Sequence, residues 1–505
     1  MKKIAVIVLS AVMICSPAWA QSKLNTAAQK HVDNVVKGQI FRGTHLGVLA
    51  VKANGDTVAA MNPFKRLMPA SNNKLISTGL AINELGPDFR FRTTIAHSGF
   101  VRDGVLYGDL YIVGGGDPTI ASGDSIADPV DVLFAKWKKF ADDAGIREVR
   151  GLVIGDGRFF DGELWPVSWQ YEDMGTYYGT SGHGLSFYRN SQDIHATAGE
   201  KPGDPVTLKV VYPETPWMTI YKECTTGEKG TGDELYLYNT EFAPVAAMRG
   251  TFAVDRKPKT ESCSNPFPEL TCAWHFKEYL VKNGIAVTGG AADIGPDGQV
   301  RTTPEMGRGL YAAAPSGELT EIGFTLSPTV EQIARVTNWR SDNYYAETLY
   351  RMIARTNLGS ASYDAGFKAE YAALARLGVN SSEVQIRDGS GLSREDYLTP
   401  EFFCNFLKAM KGSKNYDAYI RTIGWPGHGM YEFRLAKEPK ALKDRIRYKS
   451  GSIGGVLSYS GYVMPTSGKA QDTIFFSVIV NNCLAGYDVL RPIVDSIVAA
   501  IAKEN

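Results

Sequence analysis

The sequence has 505 residues, 44% hydrophobic and 21% charged, enough apolar material for large cores and for two or three domains. Lys plus Arg and Asp plus Glu are equal at 54 each, which argues against a nucleic-acid binder, since that class carries a basic excess. No like-charge tract, Pro-rich linker or short internal repeat stands out.

The chain opens Met1-Lys2-Lys3, runs apolar from Ile4 to Cys15 and then carries small residues at Ala18 and Ala20. A basic start, a short apolar stretch and a small-residue site predict a signal peptide over 1–20, cleaved after Ala20. The run is too short to span a bilayer, and no later stretch reads as a membrane anchor. Bulky Ile14 ahead of Cys15 argues against a lipid-modified cysteine. Beyond residue 20 stand Cys224, Cys263, Cys272, Cys404 and Cys483. An odd number leaves at least one thiol unpaired in an oxidising compartment. Cys224 to Cys263 is the expected pair, its loop contributing ~4 kcal/mol on the chain-entropy argument. Cys404 and Cys483 read as inert core thiols. None of the five has C-x-x-C spacing, so no metal site is expected.

In chain order, His45–Ala60 reads as a β-hairpin around Asn54-Gly55. A segment with helical apolar spacing follows from Ser71 through Leu75, Leu80 and Leu85, stopped by Gly86-Pro87. From about Phe91 the style changes. Short strands are predicted at 93–96, 104–113, 149–154, 206–212 and 234–238, with helices over 130–144 and 268–283. Gly114-Gly115-Gly116 lacks the spacing of a phosphate cradle and reads as a turn. Near Ser327 the first style returns: Thr329 with Glu331 in the first turn opens a helix, followed by helices over 365–377 and 400–411. Tyr448–Val456 leads into strands at 458–464 and 472–480, and a helix over 487–502 closes the chain. The reading is an α/β (α+β) chain in which 21–90 and 303–505 flank an inserted region, 91–302.

Ser71 and Lys74 are three apart, one helical turn, so hydroxyl and amine can meet as nucleophile and base. A serine needs such a partner, and a lysine serves only where burial and nearby positive charge lower its pKa. Alone the pattern is weak, since roughly two S-x-x-K matches arise by chance in a chain of this size. Downstream, however, stand Ser341-Asp342-Asn343 and then Lys449-Ser450-Gly451. The ordered set S-x-x-K, S-D-N, K-[ST]-G marks β-lactamases and penicillin-binding proteins.

The wording around these motifs, with Asp388-Gly389-Ser390-Gly391-Leu392-Ser393, resembles the D-alanyl-D-alanine carboxypeptidase/endopeptidase family, the low-molecular-mass class C penicillin-binding proteins. The 270 positions from Ser71 to Ser341 suit that family, whose members carry a large insertion there. The resemblance implies a penicilloyl serine transferase, β-lactamase-like fold, an antiparallel sheet flanked by helices. It implies cleavage of D-alanyl-D-alanine bonds in peptidoglycan stem peptides through a Ser71 acyl-enzyme, in the periplasm, with β-lactam antibiotics as covalent inhibitors and no cofactor. Lys74 is then the base, and Ser341, bridging Lys74 and Lys449, passes a proton to the leaving amine. Asn343 holds the substrate amide, while Lys449, Ser450 and Ser452 take the terminal carboxylate. The backbone N–H groups of Ser71 and Ser452, beyond Gly451, form the oxyanion hole. Asp342 is expected to stabilise its own loop, and Asp173 to reach the cleft and bind the amino group of a diamino acid.

Two competing classes are weighed. A Ser-His-Asp hydrolase lacks support, because none of the seven histidines lies beside the motifs and no G-x-S-x-G is present. A catalytically dead cell-wall binding protein would not need Ser71, Lys74, Ser341, Asn343 and Lys449 intact.

Overall fold

The computed structural model describes residues 24–302 and 318–505; the expected signal peptide, 1–20, lies outside the described residues. The first described helix, α1 (Ala27–Val35), is capped by Thr26, whose hydroxyl accepts from the Gln29 N–H at 2.9 Å. The predicted hairpin is β1 (His45–Lys52) and β2 (Thr57–Met61), turned at Gly55 with φ +101°. Helix α2 (Lys74–Glu84) follows; its residues from Lys74 to Ile82 are all buried.

The inserted region is built on α3 (Val130–Asp143), α4 (Pro268–Lys282) and short strands. β3 (Arg92–His97), β4 (Phe100–Arg102), β5 (Val105–Tyr107), β6 (Leu110–Val113), β7 (Glu148–Val149) and β8 (Val153–Asp156) open it. The single strands predicted at 104–113 and 149–154 are each two, because the chain switches sheets within them: β5 pairs with β7, and β6 with β8. Then come β9 (Ser191–Thr197), β10 (Thr207–Tyr212), β11 (Thr219–Gly227), β12 (Tyr236–Asn239), β13 (Val245–Ala253) and β14 (Lys259–Ser264). These six form two three-stranded sheets, β10-β9-β14 and β11-β13-β12, over a common apolar core. After α4 run β15 (Ala286–Val287), β16 (Ala291–Ile294), β17 (Val300–Thr302) and β18 (Thr320–Leu326). β18 pairs with β3 in the six-stranded sheet β17-β16-β8-β6-β3-β18, so by pairing the insertion reaches residue 326, past the boundary read at 302. Cys224 on β11 and Cys263 on β14 lie in different sheets and are free, buried thiols in the shared core. The expected disulfide between them is therefore corrected.

The C-terminal flank has α5 (Val330–Arg340), α6 (Asn343–Leu358), α7 (Tyr363–Arg376), α8 (Pro400–Gly412), α9 (Tyr416–Thr422) and α10 (Lys440–Lys443). It ends in β19 (Ile446–Ile453), β20 (Val456–Val463), β21 (Ile474–Asn481) and α11 (Tyr487–Ala502). The five-stranded sheet runs β19-β20-β21-β1-β2, so both flanks of the chain complete one antiparallel sheet, β1 pairing with β21 along its whole length. Every residue of β20 and β21 is buried, because both faces are covered. One face packs on α1 and α11, the other on α2 and α8. The second face carries the candidate site.

Candidate active site

Ser71 stands in a short 3-10 turn, Ala70–Asn73, and α2 begins only at Lys74. The turn is entered through Ala70 in the left-handed region, φ 48°, a strained conformation that its surroundings must hold. Asn72 donates to Ser460 Oγ at 2.7 Å, Asn73 to the Asp388 carbonyl at 2.6 Å, and Ser458 Oγ to the Pro69 carbonyl at 2.5 Å. Small hydroxyl residues on β20 thus let the turn sit directly on the sheet and satisfy its polar groups. On the other side Gly391, φ +80°, passes so close that a Cβ would lie 1.9 Å from the Ala70 carbonyl oxygen. Only glycine fits there.

Lys74 is wholly buried. Its Nζ donates to Ser71 Oγ at 2.9 Å, to Asn343 Oδ1 at 2.6 Å and to the Ser390 carbonyl at 2.7 Å. Burial lowers its pKa to about 8, against the opposite pull of Asp388 and Glu347. Those two carboxylates form the acidic floor of the site. Asp388 accepts from the Gly391 and Ser393 N–H groups and from the Trp169 indole at 2.8 Å. Glu347, on α6, accepts from the Gly389 N–H at 3.2 Å, and its carboxyl is pushed up to about 8 by burial and by Asp388.

The junction of α5 and α6 carries the second motif. Ser341 ends α5 in the left-handed region, φ 57°. Asp342 caps α6, one oxygen accepting from the Tyr345 N–H at 3.0 Å and the other from Arg189, so it stabilises its own loop as expected. Ser341 Oγ accepts from Lys449 Nζ at 2.8 Å, while Lys74 is held by Asn343. The expected bridge from Ser341 to both lysines is therefore corrected: the left-handed turn sends Ser341 to one lysine and Asn343 to the other. Asn343 also donates to the Tyr178 carbonyl at 2.7 Å, so its amide is engaged at both ends rather than open to substrate.

Lys449 is wholly buried on β19, and its Nζ also donates to the Ser450 carbonyl at 2.5 Å. Burial lowers its pKa well below the ordinary range, and the Lys74 charge adds to that. Ser450 donates its N–H to the Tyr431 hydroxyl at 3.4 Å. A Cβ on Gly451 would lie 2.6 Å from the Pro69 carbonyl and 2.8 Å from the Ser71 nitrogen, so β19 runs edge-on against the nucleophile turn with no room for a side chain. Ser452, next along, is exposed. Asp173 is buried, with burial raising its pKa, and its Oδ2 has no hydrogen-bond partner among the described residues. It interacts with Tyr178, the residue whose carbonyl receives Asn343.

The structure therefore gathers these residues in two contact sets, Ser71, Lys74 and Asn343 in one and Ser341 with Lys449 in the other, with Gly451 of the third motif against the Ser71 nitrogen. Sequence reasoning assigned no role to Glu347, Asp388 and the Ser390 carbonyl; the wording of residues 388–393 was a signal for the last two but not for Glu347. His183 is buried in the insertion against Glu269 at 2.8 Å, away from these groups. Among the described residues no cluster of three or more His, Cys, Asp or Glu could hold a metal ion.

A sequence model of the D-Ala-D-Ala carboxypeptidase 3 (S13) family matches residues 28–504. The chain belongs to that family. It is a serine peptidase of the D-Ala-D-Ala carboxypeptidase type. It is 27% identical over 480 residues to the D-alanyl-D-alanine carboxypeptidase of Actinomadura sp. (strain R39), covering 92% of this chain and 83% of that one. To the D-alanyl-D-alanine carboxypeptidase DacB of Haemophilus influenzae it is 21% identical, over 90% of this chain and 89% of the relative. The crystal structure of penicillin binding protein 4 (dacB) from Haemophilus influenzae superposes with a TM-score of 0.75 at 21% identity, over 94% of this chain and 98% of the other. The fold of that protein is the fold found here. Among the described residues no helix is long and apolar enough to cross a membrane.

Proposed function

We propose that Ser71 is the nucleophile, Lys74 its base and Ser341 the donor to the leaving amine, in cleavage of D-alanyl-D-alanine and related D-amino-acid bonds of peptidoglycan stem peptides and cross-links. The observation that carries this is the Lys74 amine, 2.9 Å from Ser71 Oγ with its other two contacts fixed on Asn343 and Ser390. A neutral amine has two N–H bonds and one lone pair. With the N–H bonds spent on Asn343 and Ser390, the lone pair faces the Ser71 hydroxyl and takes its proton as Oγ attacks the carbonyl carbon. The Ser71–acyl bond forms, the amide C–N bond breaks, and Ser341, backed by Lys449, protonates the departing nitrogen. Water then releases the acyl group.

Two buried ammonium groups so near one another do not both keep their protons easily. A substrate ending in a free carboxylate favours the charge on Lys449, and the repulsion that follows discharges Lys74. A cation 4 Å from that carboxylate contributes ~4 kcal/mol at an effective dielectric of 20, before desolvation. Ser450 and Ser452 supply hydroxyls to the same carboxylate. The close run of Gly451 along the turn supports an oxyanion hole from the Ser71 and Ser452 N–H groups. Asn343 is assigned first to orienting Lys74 and, when substrate displaces one of its contacts, to the substrate amide. Asp173, with its unpartnered oxygen beside Tyr178, is proposed to bind the amino group of a diamino acid. The same reading includes β-lactams as covalent inhibitors of Ser71 and export to the periplasm after cleavage behind Ala20. It also takes 21–90 and the C-terminal flank as one catalytic unit around an insertion that starts at 91.

The test is release of free D-alanine from an acylated L-Lys-D-Ala-D-Ala peptide, with Asp173→Ala losing more on the diamino-acid peptide than on a plain one. Turnover that vanishes in Ser71→Ala supports the assignment. Covalent labelling by a penicillin without any turnover would instead favour a cell-wall sensor.

A further inference from the structure

A cavity of the inserted region lies apart from Ser71. It has a volume of about 670 Å³ and lies between the segment Trp165–Met174 and the face of β11, β12 and β13. Its walls are rich in aromatic rings, Trp165, Trp169, Tyr171, Tyr221 and Tyr238 among them, with Asn239, Glu241 and Arg249 beside them. We propose that this cavity is a saccharide site that holds sugar rings of the glycan strand to which a stem-peptide substrate is attached; the proposal deepens the function proposed above and rests on it.

The two indoles are held by their edges, and the rings most open to a ligand are Tyr171 and Tyr221. The Trp165 indole N–H donates to the Gly179 carbonyl at 2.7 Å and that of Trp169 to Asp388 at 2.8 Å, so neither indole can turn. Tyr171 and Tyr238 stack at 5.1 Å with their planes within 23°, and the Arg249 guanidinium lies 5.6 Å from the Tyr238 ring centre. Folding leaves Tyr171 62% and Tyr221 56% exposed, a grouping of large rings that marks a contact surface rather than scattered surface residues. A pyranose ring matches such a wall. Its axial C–H groups make an apolar face that stacks on an aromatic ring, and its hydroxyls point outward to groups such as Glu241 and Arg249. A lipid chain would leave those polar groups facing hydrocarbon.

The cavity is also tied to the candidate active site through its wall. Trp169 lines it and bonds Asp388, whose loop gives Lys74 the Ser390 carbonyl, and Tyr178, four residues past Met174, gives Asn343 its carbonyl. One segment therefore lines the cavity and, through Trp169 and the nearby Tyr178, bonds Asp388 and Asn343, an arrangement that suits a glycan carrying peptide branches.

The probe is an N-acetylglucosamine tetramer titrated into the mature protein, read by the emission of the tryptophans that line the cavity. Saturable quenching is expected, weakened about tenfold in Tyr238→Ala and nearly unchanged in Tyr238→Phe, which keeps the ring. Tyr171→Ala, checked for unchanged circular dichroism, is a second ring removal at the exposed edge. In both alanine variants, KM for glycan-attached stem peptides should rise with kcat held, while turnover of a sugar-free peptide stays at the parent value. The proposal is overturned if the parent protein cleaves the sugar-free peptide yet shows no saturable response to the saccharide. It is overturned equally if the alanine variants bind the tetramer as the parent does. Failure to cleave any D-Ala-D-Ala peptide would instead strike the proposed function, with the titration still deciding the sugar site.

Discussion

Lys74 and Lys449 are two buried amines at the two ends of one site, and their surroundings differ. Lys74 has a floor of carboxylates, Asp388 and Glu347, which pull its pKa up against burial. Around Lys449 the charge that counts most is the ammonium of Lys74, which pushes its pKa the same way as burial does. The first end is balanced from within the protein. The second is incomplete until an anion arrives, and a peptide's terminal carboxylate is such an anion. On the proposed function, substrate recognition and base activation are thus one electrostatic event, read at Lys449 and answered at Lys74.

Breaking the balanced end should have the largest effect. Lys74→Ala should lower kcat/KM for a D-Ala-D-Ala peptide by ~10³-fold, the middle of the range for loss of a general base, with the fold intact by circular dichroism. Removing the unbalanced cation, Lys449→Ala, should cost about 10²-fold on a peptide with a free carboxylate. On the same peptide ending in a carboxamide the loss should be smaller, leaving only the part that comes from the support Lys449 gives Ser341; equal losses on both would separate Lys449 from carboxylate recognition. The comparison is sharpened by pH. Lys74 accepts a proton only when neutral, so kcat/KM should rise with pH through the Lys74 pKa of about 8. Asp388→Asn removes the carboxylate that does most to raise that pKa, so the rise should move to lower pH, measured as the acid limb of the pH profile. The smallest effect is structural: Arg189→Ala takes away one of the partners of Asp342 and of Asp124, which keeps Arg340 and Tyr345, and should reduce stability by about 1–2 kcal/mol in denaturant unfolding.

The same contrast explains what the sequence revealed. The proposed site residues Ser71, Lys74, Ser341, Asn343 and Lys449 stood out in the sequence because acyl transfer uses particular side chains in short motifs, whatever the chain does between them. Their pairing was not legible. Ser341 and Asn343 are two apart, and only the left-handed backbone at Ser341 decides that one meets Lys449 and the other Lys74. Nor were Asp388 and Glu347, which act on Lys74 from more than 270 residues away and look in sequence like loop and helix residues. The hairpin, α2, α8 and the closing helix carried clean apolar periods because each has a buried face. In the insertion β11 escaped notice, since Tyr221, Lys222 and Glu223 are exposed in succession and no period of two survives. The expected Cys224–Cys263 bridge failed because the two cysteines fall on strands of two different sheets over one core, a separation that their distance along the chain does not reveal.

The most direct measurement is to react the mature protein with a penicillin and weigh it intact, then locate the added mass by peptide mapping. A single adduct on the peptide carrying Ser71, absent from Ser71→Ala and slow to form in Lys74→Ala, is the result predicted here. An adduct on any other residue, or none under conditions in which the protein is folded, would contradict it.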